Sequence, residues 1–455
     1  MAIESINPVN GQSIKSYSAI TESQASGKIE QTYKAWHKWK EVYPKERAAL
    51  LTKAGLVLRN KREGLAHLMA LEMGKPLKGG LAEIDKCADV CDYYAKNADL
   101  LLRDEIVHTE ASKSYVTFEP LGVILAVMPW NFPFWQVFRF LAPSLMAGNC
   151  ALLKHASNVP GCALAIEEII REAGFPEFVM QTLLIESKTV NSVIEDPLIS
   201  AVTLTGSVEA GKKVAEKAGS LLKKTVLELG GSDAYIVLDD ADLELAVETC
   251  VNSRLINSGQ SCIAAKRFIV LKSVEDPFIQ LFKGKMSAKI MGDPLDEKTE
   301  IGPQARTELR NKLHEQVMAS VKEGAICILG GQIPAGNNAY YPPTILINVK
   351  KGMPAFDEEL FGPVASIISA ENEEEAIDMA NDSIFGLGAA IFSNDVARAE
   401  QIAAKKLQAG SCFVNALVRS DPRLPFGGIK QSGYGRELSV YGLREFVNIK
   451  TVFIK

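Results

Sequence analysis

The residues with the clearest chemical potential lie between Thr225 and Cys262. Cys262 offers a thiol in a glycine-containing turn, and Glu228 offers a carboxylate at the end of a short apolar run that two glycines follow. A thiolate is the strongest common side-chain nucleophile near neutral pH, and a carboxylate can activate a water molecule. Together these two residues predict covalent catalysis followed by hydrolysis.

Composition narrows the classes of protein to consider. The chain has 455 residues, a formal net charge of −5, 47% hydrophobic and 23% charged residues, as is ordinary for a soluble globular protein. The negative balance argues against nucleic acid or an anionic membrane as the main partner. The N-terminus lacks the basic and apolar regions of a signal peptide, and prolines interrupt the apolar stretch at 121–138. We therefore expect a cytoplasmic protein without a membrane span.

Cysteines and histidines indicate no metal centre. The eight cysteines are scattered, and in a cytoplasmic protein of this size they are expected to be reduced. The five histidines form neither an HxxxH nor an HExxH motif. Without a catalytic histidine, a protease or transferase of the Cys-His type is disfavoured.

Apolar runs alternate with helical patterns and predict the fold. Amphipathic helices are expected from about Thr21 to Leu102, and the near-continuous apolar run at 121–128 is typical of a parallel strand covered on both faces. Asn131 follows at the carboxyl edge of that strand, where open α/β sheets bind ligands. Further strands are predicted at 150–154, 179–185, 199–204, 234–238 and 267–271, with helices at 136–147, 160–173, 208–218 and 243–254. This order predicts a doubly wound dinucleotide-binding sheet and, after Glu228, a second α/β region.

Two features of the first sheet concern a cofactor. Gly206 and Ser207 form a turn before a helix, which suits a phosphate but equally suits a plain N-cap. The strand at 150–154 ends in Lys154, and no acidic residue follows before Glu167. An acidic residue near this point normally binds the ribose 2′-hydroxyl, whereas a lysine tolerates a 2′-phosphate. We therefore expect NADP to be accepted, with its preference over NAD left open.

Seven motifs, in order along the chain, resemble those of the aldehyde dehydrogenase superfamily. They are PWNFP at 129–133, the strand ending in Lys154, TGS at 205–207, ELGG at 228–231, GQSC at 259–262, EELFGPV at 358–364 and PFGGIKQSGYGRE at 425–437. The stretches KHASNV and ELGGSDAYIVLDDADLELAV are similar to the shorter succinate-semialdehyde dehydrogenases.

The resemblance implies a mechanism for the thiol and the carboxylate. Cys262 would attack an aldehyde carbon, and the side-chain amide of Asn131 with the backbone N–H of Cys262 would stabilise the oxyanion. Hydride transfer to a nicotinamide would leave a thioester, and Glu228 would activate the water that hydrolyses it. The cofactor-binding residues implied are Trp130, Lys154, Ser157, Gly206, Ser207, Leu229, Glu359 and Phe361.

Four of these residues have specific implied roles. Lys154 would bind the adenosine ribose, and Ser157 stands where NAD-selective relatives often carry a glutamate. Glu359 would hold the nicotinamide ribose, and Phe361 would pack near the nicotinamide ring.

The chain also departs from the family pattern. Arg139 is followed by Phe140, where many relatives have a lysine, so a proton relay with the glutamate at Glu437 would be incomplete. Ile256 replaces an arginine of some succinate-semialdehyde enzymes. Recognition of a substrate carboxylate would then depend on Arg139, Arg419 or Arg423. For Arg419 and Arg423, a role as solvated surface residues is an equal alternative.

The resemblance also divides the chain into three parts. We expect a dinucleotide-binding domain from 1–110, 124–228 and 420–440, a catalytic domain at 229–419, and a β element for oligomerisation from 111–123 and 441–455. The last strand could pair with Ser114–Phe118 or with the edge of another subunit. The expected partners are a small-molecule aldehyde and further copies of the chain, as a homodimer or homotetramer.

Rival functions remain open at this stage. One is a CoA-acylating or phosphorylating aldehyde dehydrogenase, which has less need of a water-activating Glu228. Another is a thiol hydrolase that uses Cys262 and Glu228 without a nicotinamide. A third is a non-catalytic protein of the same fold, which the presence of Cys262, Glu228 and Asn131 disfavours.

Overall fold

A computed structural model describes residues 2–336 and 338–455, except for the side chain of Ala98. The helices are α1 (Glu22–Trp39), α2 (Pro44–Asn60), α3 (Arg62–Met73), α4 (Leu77–Leu101), α5 (Trp135–Ala147), α6 (Pro160–Glu172), α7 (Val190–Glu195), α8 (Val208–Ser220), α9 (Leu243–Leu255), α10 (Glu275–Ser287), α11 (Thr307–Lys322), α12 (Pro354–Asp357), α13 (Glu373–Asn381), α14 (Val396–Lys405) and α15 (Ser439–Arg444).

The strands form four sheets. They are β1 (Ala2–Ile6), β2 (Ser13–Ser18), β3 (Glu105–Ile106), β4 (Lys113–Pro120), β5 (Val123–Met128), β6 (Cys150–His155), β7 (Met180–Thr182), β8 (Ile199–Thr205), β9 (Lys224–Glu228), β10 (Ala234–Val237), β11 (Arg267–Leu271), β12 (Ile326–Leu329), β13 (Thr344–Ile347), β14 (Val364–Ala370), β15 (Gly388–Phe392), β16 (Ser411–Val414), β17 (Gly433–Tyr434) and β18 (Val447–Ile454).

The first large sheet has the strand order β17-β9-β8-β5-β6-β7. Its strands are parallel except β17, which pairs antiparallel with β9. Almost every residue of β5 and β6 is buried, because helices cover both faces of the sheet. The two central strands therefore read as continuous apolar runs in the sequence.

The second large sheet has the order β12-β13-β14-β11-β10-β15-β16, with only the edge strand β12 antiparallel. Along β10, Ile236 packs into one hydrophobic core, whereas Tyr235 and Val237 pack into another on the opposite face. Successive side chains of a strand point to opposite faces, so this sheet too is covered on both sides. The two sheets confirm the predicted α/β class with a dinucleotide-binding domain and a second domain.

β1 and β2 form a two-stranded antiparallel sheet, and a three-stranded antiparallel sheet has the order β18-β4-β3. The last strand thus pairs with β4 of its own chain, in a register that places Val447 opposite Pro120 and Ile454 opposite Lys113. This is the first of the two pairings that the sequence left open. β3 also joins this sheet, although it precedes the range 111–123 expected for it. The predicted domain boundaries stay a prediction.

Most predicted elements lie within one or two residues of the observed ones. The exception is the strand at 179–185, which is shorter because only Met180–Thr182 pair with β6. Within the described residues, no helix is both long enough and apolar enough to cross a bilayer.

Candidate active site

Two cavities meet at the thiol of Cys262. The first has a volume of about 560 Å³ and lies at the carboxyl edge of the first sheet. The second has a volume of about 450 Å³ and extends between α4, α5 and the segment after β16. Cys262 and Gln136 line both cavities. A nucleophile at such a junction can be reached from two sides by two different molecules.

The backbone before the thiol has an unusual conformation. Residues 257–262, here called the nucleophile loop, begin with Asn257 (φ 52°), Ser258 (φ 57°) and Gly259 (φ 77°), all left-handed. Such a conformation costs about 1–3 kcal/mol for each non-glycine residue and persists only where the surroundings hold it. A Cβ on Gly259 would lie 2.2 Å from the carbonyl of Gly362, so this position has no space for a side chain.

Side-chain hydrogen bonds hold the loop in place. The amide nitrogen of Asn257 donates to the carbonyl oxygens of Asn131 (2.7 Å) and Gln260 (3.1 Å). The hydroxyl of Ser258 accepts from the N–H of Gly302 at 2.9 Å. The loop is therefore tied both to the first sheet and to the second domain.

The electrostatic surroundings of the Cys262 thiol combine opposing effects. Burial raises its pKa, and the carboxylate of Glu228 raises it further, whereas the cations of Arg139 and Lys266 lower it. At rest the thiol therefore keeps its proton and needs a neighbouring base to react.

Glu228 is the nearest candidate for that base. It is the last residue of β9 and is 2% exposed, with one carboxylate oxygen 3.3 Å from Arg139 Nη2. Its other oxygen, Oε1, is buried and has no hydrogen-bond partner among the described residues. Burial raises the pKa of Glu228, while the charge of Arg139 lowers it. The carboxyl group is thus able to bind and release a proton.

Arg139 also forms an ion pair with Glu437, which is buried as well. Burial raises the pKa of Glu437 to about 7. The charge of Arg139 lowers this pKa, whereas the charge of Glu228 raises it. Phe140, in the place of the lysine of many relatives, packs edge-on against Phe446 with 5.5 Å between ring centroids. One guanidinium therefore contacts two carboxylates, and no amine occupies position 140.

Asn131 lies close to the nucleophile loop. Its Nδ2 donates to the carbonyl of Gln260 at 3.1 Å, and its Oδ1 is buried without a hydrogen-bond partner in the described part of the chain. An amide nitrogen carries two N–H groups. The second N–H is available for an oxygen that develops negative charge beside Cys262.

The first cavity contains most of the predicted cofactor residues. These are Trp130, Gly206, Ser207, Leu229, Glu359 and Phe361. Ser207 is the N-cap of α8, and its hydroxyl accepts from the N–H of Ala210 at 3.3 Å. The interpretation of Ser207 as an N-cap is therefore correct. Other N–H groups at this helix terminus remain available for a phosphate.

The residues of this cavity suit a dinucleotide. Glu359 Oε1 accepts from the N–H of Gly231 at 3.0 Å, which presents the carboxylate toward the cavity wall. A Cβ on Gly230 would lie 2.4 Å from Glu359 Oε2, so a side chain at this position would displace the carboxylate. A fixed carboxylate and a helix N-terminus in one cleft match a ribose and a pyrophosphate.

Lys154 and Ser157 lie outside both cavities. Lys154 is buried at the end of β6, with its Nζ 3.4 Å from the hydroxyl of Ser187, and burial lowers its pKa. Ser157 is exposed in the turn that follows β6. Their predicted contacts with the adenosine ribose stay a prediction.

The second cavity carries a cation that the sequence analysis did not single out. The half-buried Lys86 of α4 donates to the hydroxyl of Ser420 at 2.7 Å and lies 4.1 Å from the ring centroid of Trp135. Burial and the charge of Arg139 lower its pKa to about 8. No carboxylate of the described residues lies within ion-pair distance of Lys86, in contrast to Arg139. Arg419 lines the same cavity and is exposed.

The match to known families agrees with this geometry. A model described as the aldehyde dehydrogenase family covers residues 1–452. The chain belongs to the aldehyde dehydrogenase family. This result confirms the superfamily predicted from the seven motifs.

The aldehyde dehydrogenases most similar to this chain include two bacterial proteins. A probable NADP(+) succinate-semialdehyde dehydrogenase of Synechocystis sp. is 48% identical over 454 residues and covers 100% of both chains. A succinate semialdehyde dehydrogenase [NAD(P)+] of Escherichia coli is 46% identical over 449 residues, covering 99% of this chain and 97% of that protein. The predicted similarity to succinate-semialdehyde dehydrogenases is thereby confirmed.

A solved structure shows the same fold. The succinic semialdehyde dehydrogenase of Streptococcus pyogenes, in complex with NADP+, has a TM-score of 0.97 and 39% sequence identity to this chain, with 100% of both chains covered.

Proposed function

We propose that this aldehyde dehydrogenase oxidises an aldehyde to a carboxylic acid with NADP or NAD, and that its substrate is succinic semialdehyde. One observation carries the proposal above all: the Cys262 thiol lies at the junction of two cavities, beside the buried carboxylate of Glu228. The first cavity suits a dinucleotide and the second an aldehyde.

The chain supplies the acid–base chemistry. Glu228 takes the thiol proton because its own pKa is raised, and the thiolate of Cys262 attacks the aldehyde carbon to form a thiohemiacetal. The free N–H of the Asn131 amide and the backbone N–H of Cys262 stabilise the oxyanion. The bound nicotinamide supplies the chemistry that the chain lacks, namely acceptance of a hydride.

Hydrolysis completes the reaction on Cys262. Glu228 removes a proton from water, which attacks the thioester and releases the acid and the thiol. Because Arg139 favours the carboxylate form of Glu228, the base regains its charge after each proton transfer. The reaction consumes one aldehyde, one oxidised cofactor and one water, and yields the acid, the reduced cofactor and one proton.

Two observations support NADP as a cofactor, with NAD as the alternative. Lys154 is the penultimate residue of β6, and the turn after this strand contains Ser157 and no carboxylate that would repel a 2′-phosphate. The names of the relatives from Synechocystis and Streptococcus mention NADP, and that from Escherichia coli both cofactors.

The charge distribution of the second cavity supports an aldehyde with a distal carboxylate. Arg139 was expected to bind that carboxylate, and this role stays a prediction. The guanidinium of Arg139 also contacts Glu228 and Glu437. Lys86, with Ser420, offers an ammonium that no carboxylate of the described chain neutralises. We infer that Lys86 and Ser420 share the recognition of the substrate carboxylate.

The rival functions fit the geometry less well. A CoA-acylating or phosphorylating enzyme has less need of a base beside the thioester, whereas Glu228 lies there with an oxygen that no described residue hydrogen-bonds. A thiol hydrolase would not need the first cavity with Glu359 and the N-terminus of α8.

Assembly and location stay predictions from the sequence. A homodimer or homotetramer is supported by β18, an edge strand on which Ile449 and Phe453 are exposed.

A spectrophotometric assay tests the proposal. Purified protein with succinic semialdehyde should raise the absorbance at 340 nm with NADP or NAD, and Cys262→Ala should abolish this change. If a wider panel of aldehydes gave no signal with either cofactor while dinucleotide still bound, the proposed oxidation would be wrong. Product formation that required CoA or phosphate would instead favour the acylating alternative.

A further inference from the structure

A buried lysine that lines neither of the two cavities lies next to the nucleophile. Lys266 is 0% exposed and directly precedes β11. Its backbone N–H donates to the carbonyl of Asp233 at 3.1 Å, and its carbonyl accepts from the N–H of Ser366 at 3.0 Å. Both neighbouring strands therefore fix the point from which the side chain extends.

The ammonium of Lys266 binds the main chain of the nucleophile loop. Its Nζ donates to the carbonyl of Ser261 at 2.9 Å and to that of Cys262 at 2.6 Å. Arg254, equally buried, donates to the carbonyl of Gly259 at 2.7 Å, and Asn131 and Asn257 donate to that of Gln260. Every carbonyl from residue 259 to residue 262 thus accepts from a side chain.

These contacts decide where one backbone N–H points. In a planar trans peptide the C=O and the N–H point in opposite directions. Because the carbonyl of Ser261 faces Lys266, the N–H of Cys262 in the same peptide unit faces away from the ammonium. Among the hydrogen bonds of the described residues, none uses this N–H.

The same ammonium also reaches the cofactor side of the site. Lys266 Nζ lies 3.6 Å from Glu359 Oε1, the oxygen that accepts from Gly231. One buried cation therefore connects the backbone of the nucleophile with the carboxylate that lines the first cavity.

We propose that Lys266 is a positioning residue. It orients the Cys262 N–H as an oxyanion donor and fixes the position of the Glu359 carboxylate relative to the nucleophile. The residue touches neither substrate nor cofactor in this scheme. The inference deepens the proposed aldehyde oxidation and rests on it for its kinetic consequences.

The variant Lys266→Met tests the inference, because it keeps the length of the side chain and removes the ammonium. Loss of a complete oxyanion donor lowers kcat about 100- to 1000-fold. Since the N–H would remain but lose its orientation, we expect roughly a 10- to 100-fold fall in kcat with little change in the KM for the aldehyde.

A second readout requires no turnover. The rate at which iodoacetamide alkylates Cys262 should be measured against pH in the wild type and in Lys266→Met. The cation of Lys266 lowers the pKa of this thiol, so its removal should move the midpoint of alkylation to higher pH. The other charges facing the thiol, on Glu228, Arg139 and Glu359, are the same in both proteins.

Lys272→Met is the matched control, since Lys272 follows β11 but is exposed and pairs with Glu371 at the surface. It should leave kcat and the alkylation profile unchanged. If Lys266→Met does not fold, Lys266→Gln retains a hydrogen-bond donor without the charge and should show the same upward shift of the midpoint.

Two results would overturn the inference. One is a Lys266 variant that unfolds more readily but keeps the kcat and alkylation profile of the wild type, which would mean that the lysine only stabilises the fold. The other is a fall in kcat matched by an equal rise in KM and an unchanged alkylation midpoint. If the wild type oxidised no aldehyde, the proposed function would be wrong. The alkylation profile would still test whether Lys266 acts on the Cys262 thiol.

Discussion

The variant Glu437→Gln probes the three buried charges beside the nucleophile. Arg139 contacts both Glu228 and Glu437, so the group has one cation and two carboxylates. Burial raises the pKa of Glu437 from its usual 4.5 to about 7. Glutamine has a similar shape and stays neutral at every pH.

The size of the effect follows from the shift in pKa. Each pKa unit corresponds to about 1.4 kcal/mol, so ionised Glu437 costs roughly 3 kcal/mol of folding free energy. The folded protein binds this proton more tightly than the unfolded chain does. Its contribution to stability is therefore complete below pH 4.5 and is lost as the pH rises through 7. Between pH 5.5 and 8.5, Glu437→Gln should gain roughly 2 kcal/mol relative to the wild type.

Chemical unfolding at both pH values, followed by tryptophan fluorescence, measures this gain. Glu374→Gln, which alters an exposed residue of α13, is the control and should show no such pH-dependent gain. If the difference in unfolding free energy between Glu437→Gln and the wild type were the same at pH 5.5 and 8.5, Glu437 would not carry the buried excess charge. A loss of relative stability at the higher pH would mean that ionised Glu437 stabilises the fold through Arg139.

Three further changes test other parts of the site. Gly259→Ala should abolish turnover and lower the melting temperature in a thermal scan, because its Cβ would lie 2.2 Å from the carbonyl of Gly362; an active variant would show that the nucleophile loop can shift. Ser157→Glu should lower kcat/KM for NADP more than for NAD, because the carboxylate would repel a 2′-phosphate; an unchanged ratio would place the 2′-phosphate elsewhere. Lys86→Met should reduce kcat/KM for succinic semialdehyde roughly 10- to 100-fold, because one charge-assisted hydrogen bond is lost. The kcat/KM for butanal, which has no carboxylate, should not change. Equal losses for both aldehydes would exclude carboxylate recognition by Lys86.

Local patterns in the sequence were sufficient for the fold class and the chemistry. The run at 121–128 is apolar throughout because β5 is buried on both faces, so the parallel sheet could be predicted from it. Cys262 ends the motif GQSC and Glu228 begins the motif ELGG, and the chemistry of a thiol and of a carboxylate depends on residue type alone. The family followed from the order of such motifs along the chain.

Other properties depend on contacts between distant parts of the chain. Lys86 and Ser420 are 334 residues apart in sequence, and no periodicity near either of them indicates that they meet in one cavity. The last strand was equally compatible with β4 and with another subunit until its register with β4 was known.

Residue type alone determined which groups could react in this protein, since a thiol, a carboxylate and an amide have the same chemistry wherever they lie. Only the tertiary structure decided which contacts position these groups and how their pKa values are shifted. Arg139 reads as a substrate ligand in the sequence, but in the fold it is buried between two carboxylates. Lys266 has no distinguishing pattern, yet it donates to the backbone of the nucleophile. The reason is that burial and the distances between charges set pKa values and hydrogen-bond partners, and both arise only when the chain is folded.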